Sequence, residues 1–435
     1  MRLGAGFGPQ AREYIRGRWS FILFTGASLT LQVSTLLCSF LALKKVGPAQ
    51  MGIWQTLLLI QGYLFISRLG IINAMNREFP FFLGAGKPEE ARQVVATAQA
   101  YTLANGLVLA LVFLALGLTH WQQGPDWRCG FLVMILVTPM ELWSNLLEST
   151  FRGSQEFIRL GYVQLIMAGA QWVSFLLVIF FGFMGWLARE VLLRSLALTL
   201  YCLARPVKAP VSFRWETFKL LFSTGWRLFV ANYLILVSDL FPRLFLVSWS
   251  GVAAVGLFTP VTGVRSAFQM FVSAVAIYVY PRLTFQYAQG RPGTGRRALR
   301  WGALTGMALL PAAAGAFFLL PVLIERFLPQ YVPAIPAVRI AALVGLLECM
   351  RVGMTAFFAT KAWTALFTYA GCSLLVRASS ALIGYWSFQD RLLGITLGML
   401  VGSAVMFGVT WALGRTLDRS PGTLTQEAEA ADAAV

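Results

Sequence analysis

VGPAQMGIW (Val46–Trp54) and SGVAAVGLF (Ser250–Phe258) are two stretches of this chain that lie 204 residues apart and match at small residues. Glycine and alanine recur at the same places in both, although the residues between them differ. Such spacing indicates a duplicated segment rather than a chance similarity of composition. The matched pairs are Gly47 with Gly251, Ala49 with Ala253, and Gly52 with Gly256.

A second pair of motifs supports the same duplication. At the same offset GKPEEAR (Gly86–Arg92) aligns with GRPGTGR (Gly290–Arg296), since each has a glycine, a basic residue, a proline and a closing arginine. One long apolar segment lies between the two motifs in each copy. Internal repeats built from membrane spans are typical of secondary transporters, which bind substrate where the repeats meet. The duplication therefore predicts a carrier.

The composition is that of a membrane protein. Of the 435 residues, 58% are hydrophobic and 12% are charged, and the mean hydropathy is +0.69. The charged fraction is about half that of a soluble domain. We predict an all-α integral membrane protein with about 12 transmembrane helices, because that many apolar stretches approach the roughly 20 residues that cross a bilayer. The predicted spans are 20–43, 53–75, 96–119, 129–150, 161–183, 187–204, 221–247, 253–280, 301–323, 334–358, 364–386 and 392–414.

The distribution of lysine and arginine predicts the orientation. With the N-terminus in the cytoplasm, 21 of the 35 basic residues fall in cytoplasmic segments and six fall on the opposite side. This asymmetry follows the positive-inside rule and supports an even number of spans, so both termini are predicted to be cytoplasmic. The net charge of +17 is then explained by loops that face anionic lipid headgroups. We expect membrane lipids, and no nucleic acid, as partners.

Five parts make up the predicted organisation. A basic cytoplasmic N-terminus (1–19) precedes an N-lobe of six spans (20–204). A cytoplasmic linker with an amphipathic helix (205–220) then leads into a C-lobe of six spans (221–414). The tail (415–435) ends in an acidic, alanine-rich stretch, and we predict that it is disordered and cytoplasmic.

The residue patterns of known catalytic sites are missing from the sequence. The single histidine, His120, has no neighbours that would complete a Ser-His-Asp or Cys-His arrangement. The chain has no Walker A motif, and its five cysteines form no CxxC or metal-binding spacing. We therefore predict no enzyme activity, no cofactor and no metal site.

Ionisable residues inside the predicted spans are the candidates for function. A charge at the bilayer centre costs about 2.5–3.5 kcal/mol on insertion scales, so such residues face a wet cavity or pair with each other. Three that lie near span ends, Glu148, Arg227 and Arg339, are expected to reach water by snorkelling. The others are Arg68, Glu141, Asp239, Arg243, Arg265, Glu348, Arg351 and Arg377.

Spans 2, 7 and 8 carry the most informative of these charges. Arg68 in span 2 and Arg265 in span 8 are interpreted as lining a cavity, with structural ion pairing as the alternative. Asp239 and Arg243 in span 7 are four residues apart on one helix face, and we predict that they pair across Pro242. Proline is tolerated inside a span where the helix borders a cavity.

Two carboxylates lie at similar places in the two copies. Glu141 in span 4 and Glu348 in span 10 are 207 residues apart, close to the offset of the motifs. One interpretation makes them symmetric proton or cation sites. The other pairs Glu348 with Arg351 at i,i+3 and places Glu141 against polar Asn145 or Glu148 on its own helix.

The run from Leu41 to Val94 resembles the opening of the polysaccharide transporters, the O-antigen and exopolysaccharide flippases of the MOP superfamily. Similarity continues through both halves, over about residues 15 to 415. The segments that carry the resemblance are Gly47–Gly52, Gly70–Ala74 and Lys87–Arg92 in the first half, and RWETFKLLFSTGWRLFVANYL (214–234) and LPQYVPAIPAVRIAALVGLLE (328–348) in the second.

This resemblance implies two six-helix bundles related by a pseudo-twofold axis normal to the membrane, with a cleft lined mainly by spans 1, 2, 7 and 8. The implied activity is transfer of an undecaprenyl-pyrophosphate-linked oligosaccharide across the bacterial inner membrane by alternating access. The oligosaccharide would be a repeat unit of O-antigen, lipopolysaccharide, capsule or exopolysaccharide. A polysaccharide polymerase and glycosyltransferases are the implied protein partners, and H⁺ or Na⁺ the coupling ion.

The resemblance also suggests separate roles for the buried charges. Guanidinium groups suit phosphate geometry better than ammonium groups do. The cations assigned to the anionic headgroup are Arg68, Arg243 and Arg265. The residues assigned to coupling or charge pairing are Glu141, Asp239, Glu348 and Arg351.

Two other functions stay open. A MATE-like multidrug or organic-cation exporter of the same superfamily should have an acidic and aromatic site, whereas the mid-span charges here favour arginine. A non-transporting scaffold of a polysaccharide assembly complex would need its cytoplasmic loops at 205–219 and 281–300 but not its buried charges.

Overall fold

The computed structural model describes residues 9–288, 293–360 and 362–417. The predicted N-terminal segment before residue 9, residues 289–292 of the second repeated loop, and the predicted tail beyond residue 417 lie outside these ranges. Within them the chain forms 3₁₀ segments at Phe65–Arg68, Trp121–Gln123, Pro329–Ala334 and Cys349–Met354. The described residues contain no strand, and their α-helices are α1 (Pro9–Ala42), α2 (Pro48–Leu64), α3 (Ile71–Gly84), α4 (Pro88–Thr119), α5 (Pro125–Gly153), α6 (Phe157–Ala204), α7 (Trp215–Trp249), α8 (Val252–Leu257), α9 (Thr259–Ala288), α10 (Thr294–Phe327), α11 (Ile335–Glu348), α12 (Thr355–Ala359), α13 (Trp363–Ser387) and α14 (Arg391–Thr416).

The membrane spans follow from the lengths of these helices. Ten helical segments of the described chain are long and apolar enough to cross a membrane, and the bent pair Pro48–Arg68 and Ile71–Gly84 forms an eleventh. Helix α6 has 48 residues, about 72 Å of helix, which is more than twice the roughly 30 Å of a bilayer core. It turns back at Gly182, where φ is 56°. The two arms then lie so close together that a Cβ on Gly185 would lie 1.9 Å from the carbonyl oxygen of Leu177. Helix α6 thus holds two spans, and the predicted all-α membrane fold of about twelve spans is confirmed.

Prolines and one aspartate set several helix starts. Pro88 and Pro125 occupy the first turns of α4 and α5, where the missing N–H of proline costs nothing. Asp390 caps α14, since its carboxylate accepts hydrogen bonds from the backbone N–H groups of Leu392 and Leu393 at 3.0 and 3.1 Å. The connections that precede α4, α5 and α14 are short.

The repeated glycine motifs contact each other directly. A Cβ on Gly52 would lie 2.0 Å from the carbonyl oxygen of Val252, and a Cβ on Gly256 would lie 1.7 Å from the carbonyl oxygen of Pro48. Because Val252 and Pro48 are also 204 residues apart, the two contacts are reciprocal. Only glycine permits this approach of backbones. The duplicated motif therefore forms a self-complementary helix crossing.

Span 2 is broken, although the sequence predicts one continuous span over 53–75. Helix α2 gives way to the 3₁₀ segment Phe65–Arg68, and Leu69 and Gly70 then take left-handed conformations with φ of 47° and 75°. The hydroxyl of Tyr101 donates a hydrogen bond to the carbonyl oxygen of Ser67, which the break leaves exposed. Irregular backbone at membrane depth requires such substitute partners.

Span 10 runs without a sharp bend but contains a 3₁₀ segment. Predicted as one segment over 334–358, it consists of α11, the 3₁₀ segment Cys349–Met354 and the short helix α12. Arg68 is the last residue of the 3₁₀ segment in span 2, and Arg351 lies within the one in span 10. Both 3₁₀ segments therefore carry an arginine.

Two compact units divide the chain by internal contacts. One contains Met1–Val46 and Leu64–Val230, and the other contains Gly47–Tyr63 and Ala231–Val435. The first half of span 2 thus belongs with the later part of the chain, because the glycine crossing ties it to α8. The predicted lobe boundaries, 20–204 and 221–414, stay a prediction.

The chain is a multi-pass membrane protein, and its predicted orientation can be tested by labelling. In a cysteine-free background, a membrane-impermeant thiol reagent should label Gln389→Cys in intact cells, because the exposed loop before α14 is predicted to face outward. Lys208→Cys, in the predicted cytoplasmic linker, should react only after the cells are permeabilised. Labelling in the reverse order would overturn the orientation.

Candidate functional site

A network of buried ion pairs lies within the second compact unit. Its five members come from spans 7, 8, 10 and 11, so residues distant in sequence meet at one place. Three arginines face two carboxylates, which gives the group a net charge of +1. We call this set the arginine–carboxylate network: Asp239 on α7, Arg265 on α9, Glu348 at the end of α11, Arg351 in the following 3₁₀ segment, and Arg377 on α13.

Glu348 is the buried anchor of this network, with a side chain that is 1% exposed. Arg265 grips its carboxylate in two places, since Nε donates to Oε2 and Nη2 donates to Oε1, both at 2.8 Å. Arg377 Nη1 lies 3.1 Å from Oε1, and Gln269 Nε2 donates to Oε2 at 3.1 Å. Two-point contact between guanidinium and carboxylate is the strongest arrangement of such hydrogen bonds.

Asp239 is the second carboxylate, and its side chain is 22% exposed. Its Oδ1 accepts a hydrogen bond from Arg265 Nη2 at 2.5 Å and another from Arg377 Nη1. Arg351 Nη2 lies 3.0 Å from both Oδ1 and Oδ2. Three guanidinium groups from three spans therefore converge on one partly exposed carboxylate.

Arg243 lies one turn beyond Asp239 on α7 but does not pair with it, contrary to the prediction. The oxygens of Asp239 are already occupied by arginines from other spans, so the local i,i+4 pair is not formed. In the part of the chain that the structure describes, Arg243 makes no hydrogen bond or ion pair. It is partly exposed and close enough to Asp239 and Arg265 to interact with both charges.

The predicted i,i+3 pair between Glu348 and Arg351 is also replaced by contacts across helices. Helix α11 ends at Glu348, and the 3₁₀ geometry that follows directs Arg351 to Asp239 instead. Glu348 takes Arg265 and Arg377 as partners. The predicted Asp239–Arg243 pair was wrong, and the i,i+3 pair that was one of two interpretations of Glu348 is not formed, for the same reason: partners on neighbouring spans replaced those on the same helix.

A smaller charge group lies within the first unit. Glu141 Oε1 is 3.8 Å from Arg68 Nη2, and its Oε2 is 3.8 Å from Arg194 Nη2. The guanidinium of Arg68 also stacks 3.4 Å from the ring centroid of Phe65, while its Nε and Nη2 are buried without a hydrogen bond. Glu141 thus faces arginines of other spans, and Glu148 pairs with Arg152 on its own helix at 3.8 Å.

The two charge groups use corresponding spans of the repeat. Glu141 on span 4 pairs with Arg68 on span 2, and Glu348 on span 10 pairs with Arg265 on span 8. The two arginines are 197 residues apart, seven fewer than the motif offset, and seven residues is about two helical turns. The pairing of spans is thus common to both copies, while the arginine has moved along its helix.

Two members of the site were missed by the sequence analysis. Arg377 was recognised as a mid-span charge but received no role, and Gln269 was not considered. Gln269 follows Arg265 by four residues, so it lies on the same helix face and reaches the same carboxylate. Spacing from a known mid-span charge could have found it. Among the described residues no cluster of His, Cys, Asp and Glu could hold a metal ion.

The fold is that of the MATE transporters of the MOP superfamily. An inward-facing multidrug resistance MATE family transporter of that superfamily has a TM-score of 0.70 and 14% identity, with 91% of this chain and 98% of that one covered. A MOP superfamily transporter from Pyrococcus furiosus has a TM-score of 0.62 and 15% identity over 92% and 96%. A variant of a Vibrio cholerae MATE transporter has a TM-score of 0.63 and 15% identity, with 94% of this chain and 98% of that one covered.

At these identities the likeness establishes the fold alone. No family model matches the chain, and no curated protein matches it significantly. The fold agrees with the superfamily that the sequence resemblance implies. The polysaccharide transporter family within it stays a prediction.

Proposed function

We propose that this protein is a membrane transporter that binds an anionic amphiphile through the arginine–carboxylate network and Arg243. The observation that carries the proposal is the excess of arginine: three guanidinium groups share two carboxylates, and Arg243 lies beside them as a fourth, so the group has a net charge of +2. Uncompensated charge inside a membrane protein is costly, and in known proteins it marks substrate or ion pathways. A negatively charged substrate would compensate it.

The substrate class that fits best is a lipid-linked oligosaccharide with a pyrophosphate. Its two phosphoryl groups carry several oxygens, and a guanidinium group can bind two such oxygens at once through parallel hydrogen bonds. The sequence resemblance to O-antigen and exopolysaccharide flippases supports the same class. Transfer would proceed by alternating access in the bacterial inner membrane, with the glycan supplied and consumed by glycosyltransferases and a polymerase.

The solved structures add support of a different kind. The P. furiosus transporter of this fold is described as having a binding pocket of reverse polarity, which suggests a different function for it. The fold therefore accommodates more than one pocket charge. An arginine-rich site in the present chain is compatible with that range.

Binding of undecaprenyl pyrophosphate to the purified protein tests the proposal. Arg243→Gln should raise the Kd about tenfold, because it removes a cation beside the network that no carboxylate of the described residues holds, and a hydrogen bond to a charged group contributes about 1.5–3 kcal/mol. Microscale thermophoresis in detergent would measure the affinity. Arg339→Gln is the matched control, since Arg339 is exposed and stacks on Phe317 at 5.8 Å. Equal affinities for both variants would contradict the assignment.

Coupling is the role we propose for the carboxylates, with H⁺ or Na⁺ as the ion. Glu141 is the candidate in the first unit, where Arg68 and Arg194 lie 3.8 Å from its two carboxylate oxygens. Transport by Glu141→Gln can be measured in liposomes with and without an ion gradient. If the variant depends on the gradient as the parent does, Glu141 does not have this role.

A MATE-like multidrug exporter is the second candidate, and the structural neighbours favour it. Several of them are multidrug or MATE transporters, although the likeness extends only to the fold. An organic cation would be repelled by a network of net positive charge. Restored drug resistance when this gene is expressed in an efflux-deficient strain, together with no binding of undecaprenyl pyrophosphate, would establish the exporter over the flippase.

A further inference from the structure

We propose that Asp239 is a built-in competitor for the transported anion. Its carboxylate occupies the arginine donors that a substrate pyrophosphate would use, and the substrate binds by displacing it. This inference rests on the proposed function and adds a mechanism of regulation at the same site. It adds displacement by the substrate to the charge pairing that the sequence suggested for Asp239.

Asp239 rather than Glu348 is the displaceable carboxylate. The Glu348 side chain is 1% exposed and is held by Arg265 at two points and by Gln269. The Asp239 side chain is 22% exposed. Glu348 therefore fixes Arg265 and Arg377 in place, whereas Asp239 lies at the accessible edge of the network.

The donors around Asp239 match the needs of a phosphate group. Arg265, Arg351 and Arg377 all bond to this one carboxylate, which has two oxygens. A terminal or bridging phosphoryl group presents at least as many charged oxygens, and arginine binds them in the same two-point geometry. The three arginines that hold Asp239 thus form a ready anion site that a carboxylate of the protein fills.

Arg243 supplies a further cation for the anion. It lies one turn from Asp239, is partly exposed, and makes no ion pair within the described ranges. A pyrophosphate that displaces Asp239 would gain this cation in addition to the three arginines of the network. With Asp239 displaced, four arginines and Glu348 leave a charge of +3, which the two negative charges of a pyrophosphate diester largely balance.

Neutralising Asp239 should therefore strengthen anion binding. Isothermal titration of full-length protein in nanodiscs with inorganic pyrophosphate is expected to give about a tenfold lower Kd for Asp239→Asn than for the parent, because a competing charge within hydrogen-bond distance is removed. Asp239→Glu keeps the charge and should bind as the parent does. Glu325→Gln, an exposed carboxylate of α10, should leave the Kd unchanged.

The possible outcomes separate this inference from the function on which it rests. Binding of pyrophosphate and of undecaprenyl pyrophosphate by the parent, with equal or weaker binding by Asp239→Asn, would overturn the competitor and leave the transporter proposal intact. No binding of either ligand by any variant would overturn both. Tighter binding of inorganic phosphate together with pyrophosphate would support the competitor and identify a single phosphoryl group as the recognised unit.

Protein stability provides a second readout if Asp239→Asn folds poorly. Pyrophosphate should replace the missing carboxylate, so millimolar pyrophosphate should restore the Tm of Asp239→Asn and raise the Tm of Glu325→Gln much less. If pyrophosphate does not raise the Tm of Asp239→Asn, the proposal is contradicted, because an anion that binds the same arginines must stabilise the folded protein.

Discussion

Glutamine in place of Glu348 should lower the free energy of unfolding by about 3–5 kcal/mol, the usual effect of removing one partner of a buried ion pair. The side chain is 1% exposed and is bonded to Arg265 at two points and to Arg377. An amide of the same size fills the space but leaves Asp239 as the one carboxylate of the network that balances these guanidinium groups. Thermal unfolding of the purified protein, followed by tryptophan fluorescence or by loss of the monodisperse peak, measures the effect.

Two further variants make this result specific. Glu325→Gln removes an exposed carboxylate of the same unit and should change the stability by no more than about 0.5 kcal/mol. The double variant Glu348→Gln with Arg265→Gln removes both charges and should recover part of the loss, since coupled sites are not additive. A stable Glu348→Gln protein would show that water or lipid headgroups already reach this carboxylate.

Alanine at Gly256 should disrupt the glycine crossing and cost about 3 kcal/mol of stability, at the upper end of the usual effect of overpacking. The added Cβ would lie 1.7 Å from the carbonyl oxygen of Pro48 and 2.8 Å from the backbone nitrogen of Gly52. Backbone atoms cannot move aside as a flexible side chain can, so α2 and α8 must separate. The yield of folded protein and its Tm in detergent would report the change.

Gly263 is the matched control for this substitution. It lies in the helical run of α9, and no atom lies within 4 Å of the position that its Cβ would take. Gly263→Ala should therefore be neutral or stabilise the helix by about 0.5–1 kcal/mol. Gly52→Ala should behave like Gly256→Ala, because its Cβ would meet Val252 in the reciprocal contact. Unequal losses of stability for Gly52→Ala and Gly256→Ala would mean that the two reciprocal contacts do not contribute equally to the crossing.

Much of the fold was predictable from local sequence. Apolar stretches of bilayer length mark the spans whether or not their partners are known, and proline and glycine mark the turns between them. The break in span 2 was not predicted, because a left-handed Leu69 beside Gly70 depends on tertiary contacts that local sequence does not show. The 3₁₀ segment in span 10 was missed for the same reason.

The site was predictable in its residue types but not in its contacts. A charge in the middle of an apolar run stands out at once, which is how Arg265 and Glu348 were found. Spacing along one helix then suggested the wrong partners, because the energy of a buried ion pair depends on which side chains reach it in three dimensions. Arg377 meets Asp239 from 138 residues away, a contact that no local pattern contains.

The crossing at Gly52 and Gly256 also says something about how the chain arose. A contact in which each copy meets the other through the same residues is what two identical chains form across a twofold axis. Duplication of a segment that carries this motif therefore creates both sides of the contact at once. The buried charges do not take part in the crossing, so they can differ between the two halves without disturbing it.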